Sequence, residues 1–134
     1  MIYGTLRRGS DMLGEITKLA RNKNITAGTF QAIGTLRRAV LGYYDFRQKK
    51  YLYATVDKNV ELVSAMGNFS IKDDLPFPHI HISVSDENGN VLGGHLSDGS
   101  IVNVCEFYIS PVGDESLVRK YDGETGLSLY EKNL

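Results

Sequence analysis

Pro78-His79-Ile80-His81-Ile82-Ser83-Val84-Ser85-Asp86-Glu87-Asn88-Gly89-Asn90-Val91-Leu92-Gly93-Gly94-His95 holds all three histidines of the chain. Alternation decides how it is read. Residues i and i+2 of a strand point to the same face, so His79, His81 and Ser83 project together while Ile80, Ile82 and Val84 turn to a core. Asp86-Glu87-Asn88-Gly89-Asn90 is a turn signal of the kind that closes a β-hairpin. A loop with an odd number of residues centred near Asn88 sets His95 opposite His81 on the returning strand. Three imidazoles on one face of one hairpin then form a tridentate site for a divalent metal, with zinc the first expectation. Three protein ligands and an open position are the pattern of catalytic rather than structural zinc. The plainer reading is a strand with two solvated histidines and a third nearby by accident. Placing all three on one face favours the metal.

Working outward, residues 2–6 read as a short strand and Gly9-Ser10-Asp11 as a helix start. Met12, Leu13, Ile16, Leu19 and Ala20 then recur at helical spacing, and Arg21 and Lys23 suit the helix C-terminus, so the helix should end near Asn24. Residues 27–33, 38–45, 51–56, 60–71, 79–85, 91–96 and 101–109 are rich in β-branched and aromatic side chains, with Gly, Asn or Asp between them. One helix cannot cover so much sheet on both faces. The expected fold class is therefore α+β: a strongly bent, mostly antiparallel β-sheet or partial barrel packed with one main α-helix. Residues 116–121 and 127–130 form a last hairpin or an arm.

The 134 residues suffice for one core, and the expectation is a single domain over residues 1–134. A hydrophobic share of 42% and a charged share of 23% are ordinary for a globular chain and exclude a disordered one. No stretch has the apolar length of a membrane span, and Met1-Ile2-Tyr3-Gly4 lacks the pattern of a signal peptide, which makes a cytoplasmic setting the expectation. The formal net charge of −1 argues against a globally basic nucleic-acid binder, leaving room for a local patch. A single cysteine, Cys105, excludes an internal disulfide, and its neighbours Val104 and Phe107 suggest a small buried residue rather than a nucleophile.

Catalysis at a metal also needs an acid or base, for which Glu61, Asp98 and Glu106 are candidates, none singled out by spacing. Glu61 and Glu106 alternate with apolar neighbours, as solvated strand residues do. In Met66-Gly67-Asn68-Phe69-Ser70 the glycine marks a bulge or a close backbone approach, and Asn68 and Ser70 share a face from which they could bind a ligand. Arg8 could hold a substrate carboxylate, although Arg7-Arg8 and Arg37-Arg38 read more simply as solvated pairs. Tyr43, Tyr44, Tyr51 and Tyr53 could stack bases, but cross-strand packing is the more ordinary role. Gly4-Thr5-Leu6-Arg7-Arg8 recurs as Gly34-Thr35-Leu36-Arg37-Arg38, too short a repeat to define an architecture.

The succession Arg8-Gly9, Ile33-Gly34-Thr35-Leu36, Leu41-Gly42-Tyr43-Tyr44-Asp45, Glu61-Leu62-Val63-Ser64, Gly67-Asn68-Phe69-Ser70, Pro76-Phe77-Pro78-His79-Ile80-His81, Asp86-Glu87-Asn88-Gly89 and Gly93-Gly94-His95-Leu96 resembles the plant and prokaryote conserved (PPC) domain. The resemblance covers nearly the whole chain, and residues 67–95 carry its specific part. It implies a strongly bent antiparallel sheet, a homotrimer, and a fold similar to that of acetolactate decarboxylase, a metalloenzyme using three histidines. Plant members join the domain to hooks that bind A·T-rich DNA, and prokaryotic ones are commonly labelled as DNA-binding by prediction. This sequence contains no Arg-Gly-Arg-Pro hook and keeps histidines that plant versions lack, so it looks like the prokaryotic stand-alone form.

Two functions follow as expectations. The first is a trimeric PPC-domain protein with a three-histidine metal site, acting as a DNA-associated or protein-interaction module. The second is a zinc-dependent enzyme acting on a small carbonyl or carboxylate substrate, with His79, His81 and His95 on the metal and Arg8, Asn68, Ser70 and Glu106 as ligand-binding candidates. The sequence leaves open whether the chain is an enzyme.

Overall fold

The computed structural model describes residues 1–113 and 115–131. Its elements run β1 (Ile2–Thr5), α1 (Met12–Asn22), β2 (Gly28–Asp45), β3 (Lys50–Val56), β4 (Val60–Lys72), β5 (Leu75–Ser85), β6 (Val91–Leu96), β7 (Ile101–Pro111), β8 (Arg119–Asp122) and β9 (Leu127–Tyr130). Among the described residues the first seven strands form one antiparallel sheet in the order β1-β7-β2-β4-β5-β6, with β3 paired to β2. β8 and β9 form a separate hairpin.

Residues 27–33 and 38–45, expected as two strands, are the two ends of the single 18-residue β2. Gly34 falls between the two expected segments. The strand continues through it with a shift of register, because β7 passes so close that a Cβ at Gly34 would lie 2.1 Å from the Val104 carbonyl oxygen. The length of β2 bends the sheet onto itself. One end of β2 pairs with β4 and β7, and the other pairs with β6 through Leu41↔Leu96 and Gly42↔His95. β2, β4, β5 and β6 thereby complete a ring of hydrogen bonds. Gly94 lets the ring close: a Cβ there would lie 2.8 Å from the Gly42 carbonyl oxygen.

Helix α1 begins where the sequence signals it. The Asp11 carboxylate caps it by accepting from the Gly14 N–H at 2.8 Å and, with its other oxygen, from the Gly99 N–H at 2.5 Å. The helix ends at Asn22, slightly before the expected Asn24, which takes a left-handed conformation with φ 49°. Met12, Ile16 and Ala20 are fully buried and join Phe30, Leu36, Phe69, Ile80, Val84 and Leu96 in one core. No described helix is long and apolar enough to cross a membrane, which says nothing of strands.

Candidate metal centre

The alternation read in the sequence holds along β5. Pro76, Pro78, Ile80, Ile82 and Val84 are buried, and His79, His81 and Ser83 occupy the other face. The loop after it is pinned by Asp86, whose Oδ1 accepts from the N–H groups of Asn88 and Asn90 at 2.9 and 3.0 Å. Gly89 takes φ 78°. This odd-numbered loop sets His81 directly opposite His95. The ring centroids of His79, His81 and His95 lie 5.1, 5.1 and 5.5 Å apart, and one nitrogen from each falls within 4.8 Å of the others.

The chemistry of these nitrogens fits a metal. His95 Nδ1 is buried and makes no hydrogen bond among the described residues, a costly state for an imidazole nitrogen unless something electrophilic accepts its lone pair. Burial, with smaller effects of Arg119, His95 and His81, pulls the His79 pKa down from 6.5 to about 4. Burial and the neighbouring His81 lower that of His95 as well. Both rings are thus neutral near pH 7, the state in which imidazole binds divalent cations. Tyr51 on β3 packs its ring 4.9 Å from that of His95.

The residue that sequence reading missed is Arg119. It starts β8, far from the histidines in sequence, and no motif marks it. Its Nε donates to Ser70 Oγ at 2.7 Å, its Nη1 to the Ser128 carbonyl at 3.1 Å and its Nη2 to Asn68 Oδ1 at 2.9 Å. The same Nη2 lies 3.5 Å from His79 Nδ1. Tyr130 stacks on the guanidinium at 4.4 Å, and its hydroxyl also donates to Asn68 Oδ1, at 2.6 Å. The β8–β9 hairpin is further tied to the β2–β3 hairpin by Tyr44 Oη, which donates to the Thr125 carbonyl at 2.7 Å.

A cavity of about 790 Å³ opens beside the triad, lined by His79, His95, Tyr51, Arg38, Lys72, Asp98 and Arg119 among others. Asn68 and Ser70, expected as ligand-binding residues, brace Arg119. Arg8 is exposed and does not line this cavity. Glu106 lies on the outer face of the sheet, in a hollow of about 350 Å³ with Met66 and Tyr108. Glu61 is exposed on β4, so Asp98 alone of the three candidate acids lines the histidine cavity. Among the tyrosines, Tyr44 and Tyr51 form the cross-strand pair that alternation implies, 5.1 Å between centroids.

The Plants and Prokaryotes Conserved (PCC) domain matches residues 1–113. Among solved structures, a metal-containing protein of Archaeoglobus fulgidus is 37% identical with a TM-score of 0.91, over 98% of this chain and 92% of that one. A plant- and prokaryote-conserved (PPC) protein of Pyrococcus horikoshii is 32% identical with a TM-score of 0.93, over 99% and 92%. A candidate DNA-binding protein of Ralstonia eutropha is 30% identical with a TM-score of 0.87, over 98% and 90%. A Staphylococcus aureus protein similar to alpha-acetolactate decarboxylase shares the fold alone, at 14% identity and a TM-score of 0.61, over 84% and 52%. Two Synechococcus proteins named bifunctional protein GlmU are each 28% identical over 120 residues, 88% of this chain. The chain spans about 18% of the length of these curated relatives.

Proposed function

This chain belongs to the Plants and Prokaryotes Conserved (PCC) domain family, and on that premise we propose that it is an oligomeric, metal-binding PPC module, one domain over residues 1–134, working in the cytoplasm. His79, His81 and His95 hold a divalent cation, zinc by the chemistry of an all-imidazole set. The observation that carries this is the convergence of three imidazoles, one of them with a buried nitrogen that has no partner among the described residues. The metal content of the Archaeoglobus fulgidus relative supports it. Cobalt(II) titration tests it: one equivalent should produce the visible bands of a site of low coordination number, and His81→Ala should abolish them. A featureless titration of the wild type contradicts the reading.

Assembly, with a trimer as the specific expectation, is supported by the outer sheet face. Tyr3, Ile33, Met66, Val104 and Tyr108 are exposed there. Met66 is the register partner of Gln31 on one side and of His81 on the other, so this apolar face runs up to the triad. Association with DNA rests on the naming of relatives such as that from Ralstonia eutropha. It calls for binding that weakens steeply with added salt, and absence of binding at low salt removes it.

A second reading, a metal-dependent enzyme acting on a small carbonyl or carboxylate substrate, is favoured by the cavity that opens beside His79 and His95. A bound metal would supply Lewis acidity there. Tyr51 and Phe77 line that cavity and restrict water, Arg119 meets a negatively charged group, and Asp98 is the acid available to move a proton.

A further inference from the structure

We propose that Arg119 is the anchor of a carboxylate subsite beside the three histidines, so that the cavity takes a small carboxylate-bearing molecule. The proposal rests on the second reading above and names its ligand class.

Arg119 is half-buried and fixed in place, yet no carboxylate among the described residues neutralises its charge. Every group holding it is uncharged at neutral pH: the Ser70 hydroxyl, the Ser128 carbonyl, the Asn68 amide oxygen, and the rings of Tyr130 and Phe77, 4.4 and 5.7 Å from Cζ. A partly buried cation without a counterion is unfavourable, and an anion that completes it is bound correspondingly well. Of the five N–H groups of a guanidinium, those three hydrogen bonds use Nε and one on each terminal nitrogen. One N–H on Nη1 and one on Nη2 are left by these three bonds, the Nη2 group 3.5 Å from His79 Nδ1 at the limit of a hydrogen bond, and a planar guanidinium can turn such a pair to the two oxygens of a carboxylate. The surroundings agree in sign. Lys72 lines the same cavity, as does Arg38, which pairs with Asp57 at 3.8 Å, and Asp98 is the single carboxylate among the lining residues. His79 lies 3.5 Å from Nη2, so a molecule whose carboxylate rests on Arg119 presents its adjacent atoms to the histidines.

Arg119 also explains why a serine with no exposure faces the site. Ser70 accepts from Nε and donates onward to the Phe77 carbonyl at 3.3 Å, giving the guanidinium a rigid seat on β4 and β5. That arrangement costs burial of polar atoms and contributes nothing to the core. It fits an arginine kept at one orientation for a planar partner.

Isothermal titration of malonate into zinc-loaded protein, with zinc content measured in parallel, tests the subsite. Wild type should bind malonate, and Arg119→Gln should keep its zinc while losing affinity by about tenfold to a hundredfold, the range for removing a charged hydrogen-bonding partner. Arg119→Lys should fall between them. Equal affinity in wild type and Arg119→Gln overturns the proposal, as does wild type that binds inorganic phosphate but no malonate. If the protein takes up no zinc, the metal reading fails separately, and the same titration on metal-free protein then decides the subsite by whether Arg119→Gln loses the binding. A measurement without a variant guards against loss of the β8–β9 hairpin: malonate should slow phenylglyoxal modification of Arg119 in the wild type. An unchanged rate of modification contradicts the assignment.

Discussion

His81 on β5 and His95 on β6 face each other as direct register partners, their ring centroids 5.5 Å apart. The site is therefore fixed by a single hairpin register, and His79 joins because it lies two residues before His81 on the same face. Removing any one ligand leaves a two-histidine site. His81→Ala and His95→Ala should each weaken zinc binding by at least about a hundredfold, beyond the loss from a disturbed outer-shell partner. Zinc at about 100 times the wild-type Kd should stabilise the wild type by about 2.7 kcal/mol in thermal unfolding and either variant by no more than about 0.4 kcal/mol.

The pH dependence of the metal-free protein follows from His79. Its folded pKa, about 4, lies below the ordinary 6.5. Between these values the unfolded chain binds a proton that the folded chain refuses, so the contribution is fully present above pH 6.5 and is lost as the pH falls toward about 4. The lowered pKa of His95 acts in the same direction. Urea unfolding in the presence of a chelator should show stability decreasing across this window, with a shallower decline in His79→Gln. A stability that increased as the pH fell through this interval would be incompatible with half-buried, neutral imidazoles.

Gly67 couples the core to the site. A Cβ there would lie 2.3 Å from the His79 carbonyl oxygen and 2.9 Å from the Ile80 Cα, both backbone atoms of β5. Gly67→Ala must push β5 away from β4. We expect a loss of about 1–3 kcal/mol by urea unfolding, the usual cost of overpacking, together with weaker zinc binding because His79 moves. Unchanged zinc affinity in this variant would show that the triad does not depend on the β4–β5 spacing.

Cys105 has no exposure, and burial pushes its thiol up to about 12 with a smaller effect of Glu106. It should resist aromatic disulfide reagents at pH 8 in the native protein and react as one thiol after unfolding. Rapid labelling of the folded protein would remove it from the core.

The outer sheet face predicts assembly. Sedimentation of the wild type should give a mass near three chains, and replacing Met66 with lysine should shift it toward smaller species. A wild type that sediments as one chain at all concentrations contradicts the trimer.

The hairpin was legible because its information is local. Side-chain alternation of period two and one turn fix which residues meet, and both can be read within residues 78–95. The helix was legible for the same reason, through Asp11 and the Met12, Ile16 and Ala20 stripe. The continuity of β2 was not. Gly34 breaks the local pattern, and only the close passage of β7 shows why the strand continues. Arg119 was hidden for a related reason. Its partners Asn68 and Ser70 lie on β4, about fifty residues earlier, and docking of a C-terminal hairpin leaves no periodic signature. Asn68 and Ser70 were picked out as polar residues on one face, but their link to an arginine needed the tertiary structure. Arg8, chosen as the carboxylate-binding arginine, occupies a position that the cavity does not reach, and Arg119 is the arginine beside the histidines.

Elemental analysis of protein purified without chelator and dialysed against zinc decides whether the three histidines hold a metal. One divalent metal per wild-type chain is expected, and about a tenth of that or less in His81→Ala. Wild-type protein that retains no metal after loading, or a His81→Ala variant that retains as much as the wild type, would contradict a metal held by the three histidines.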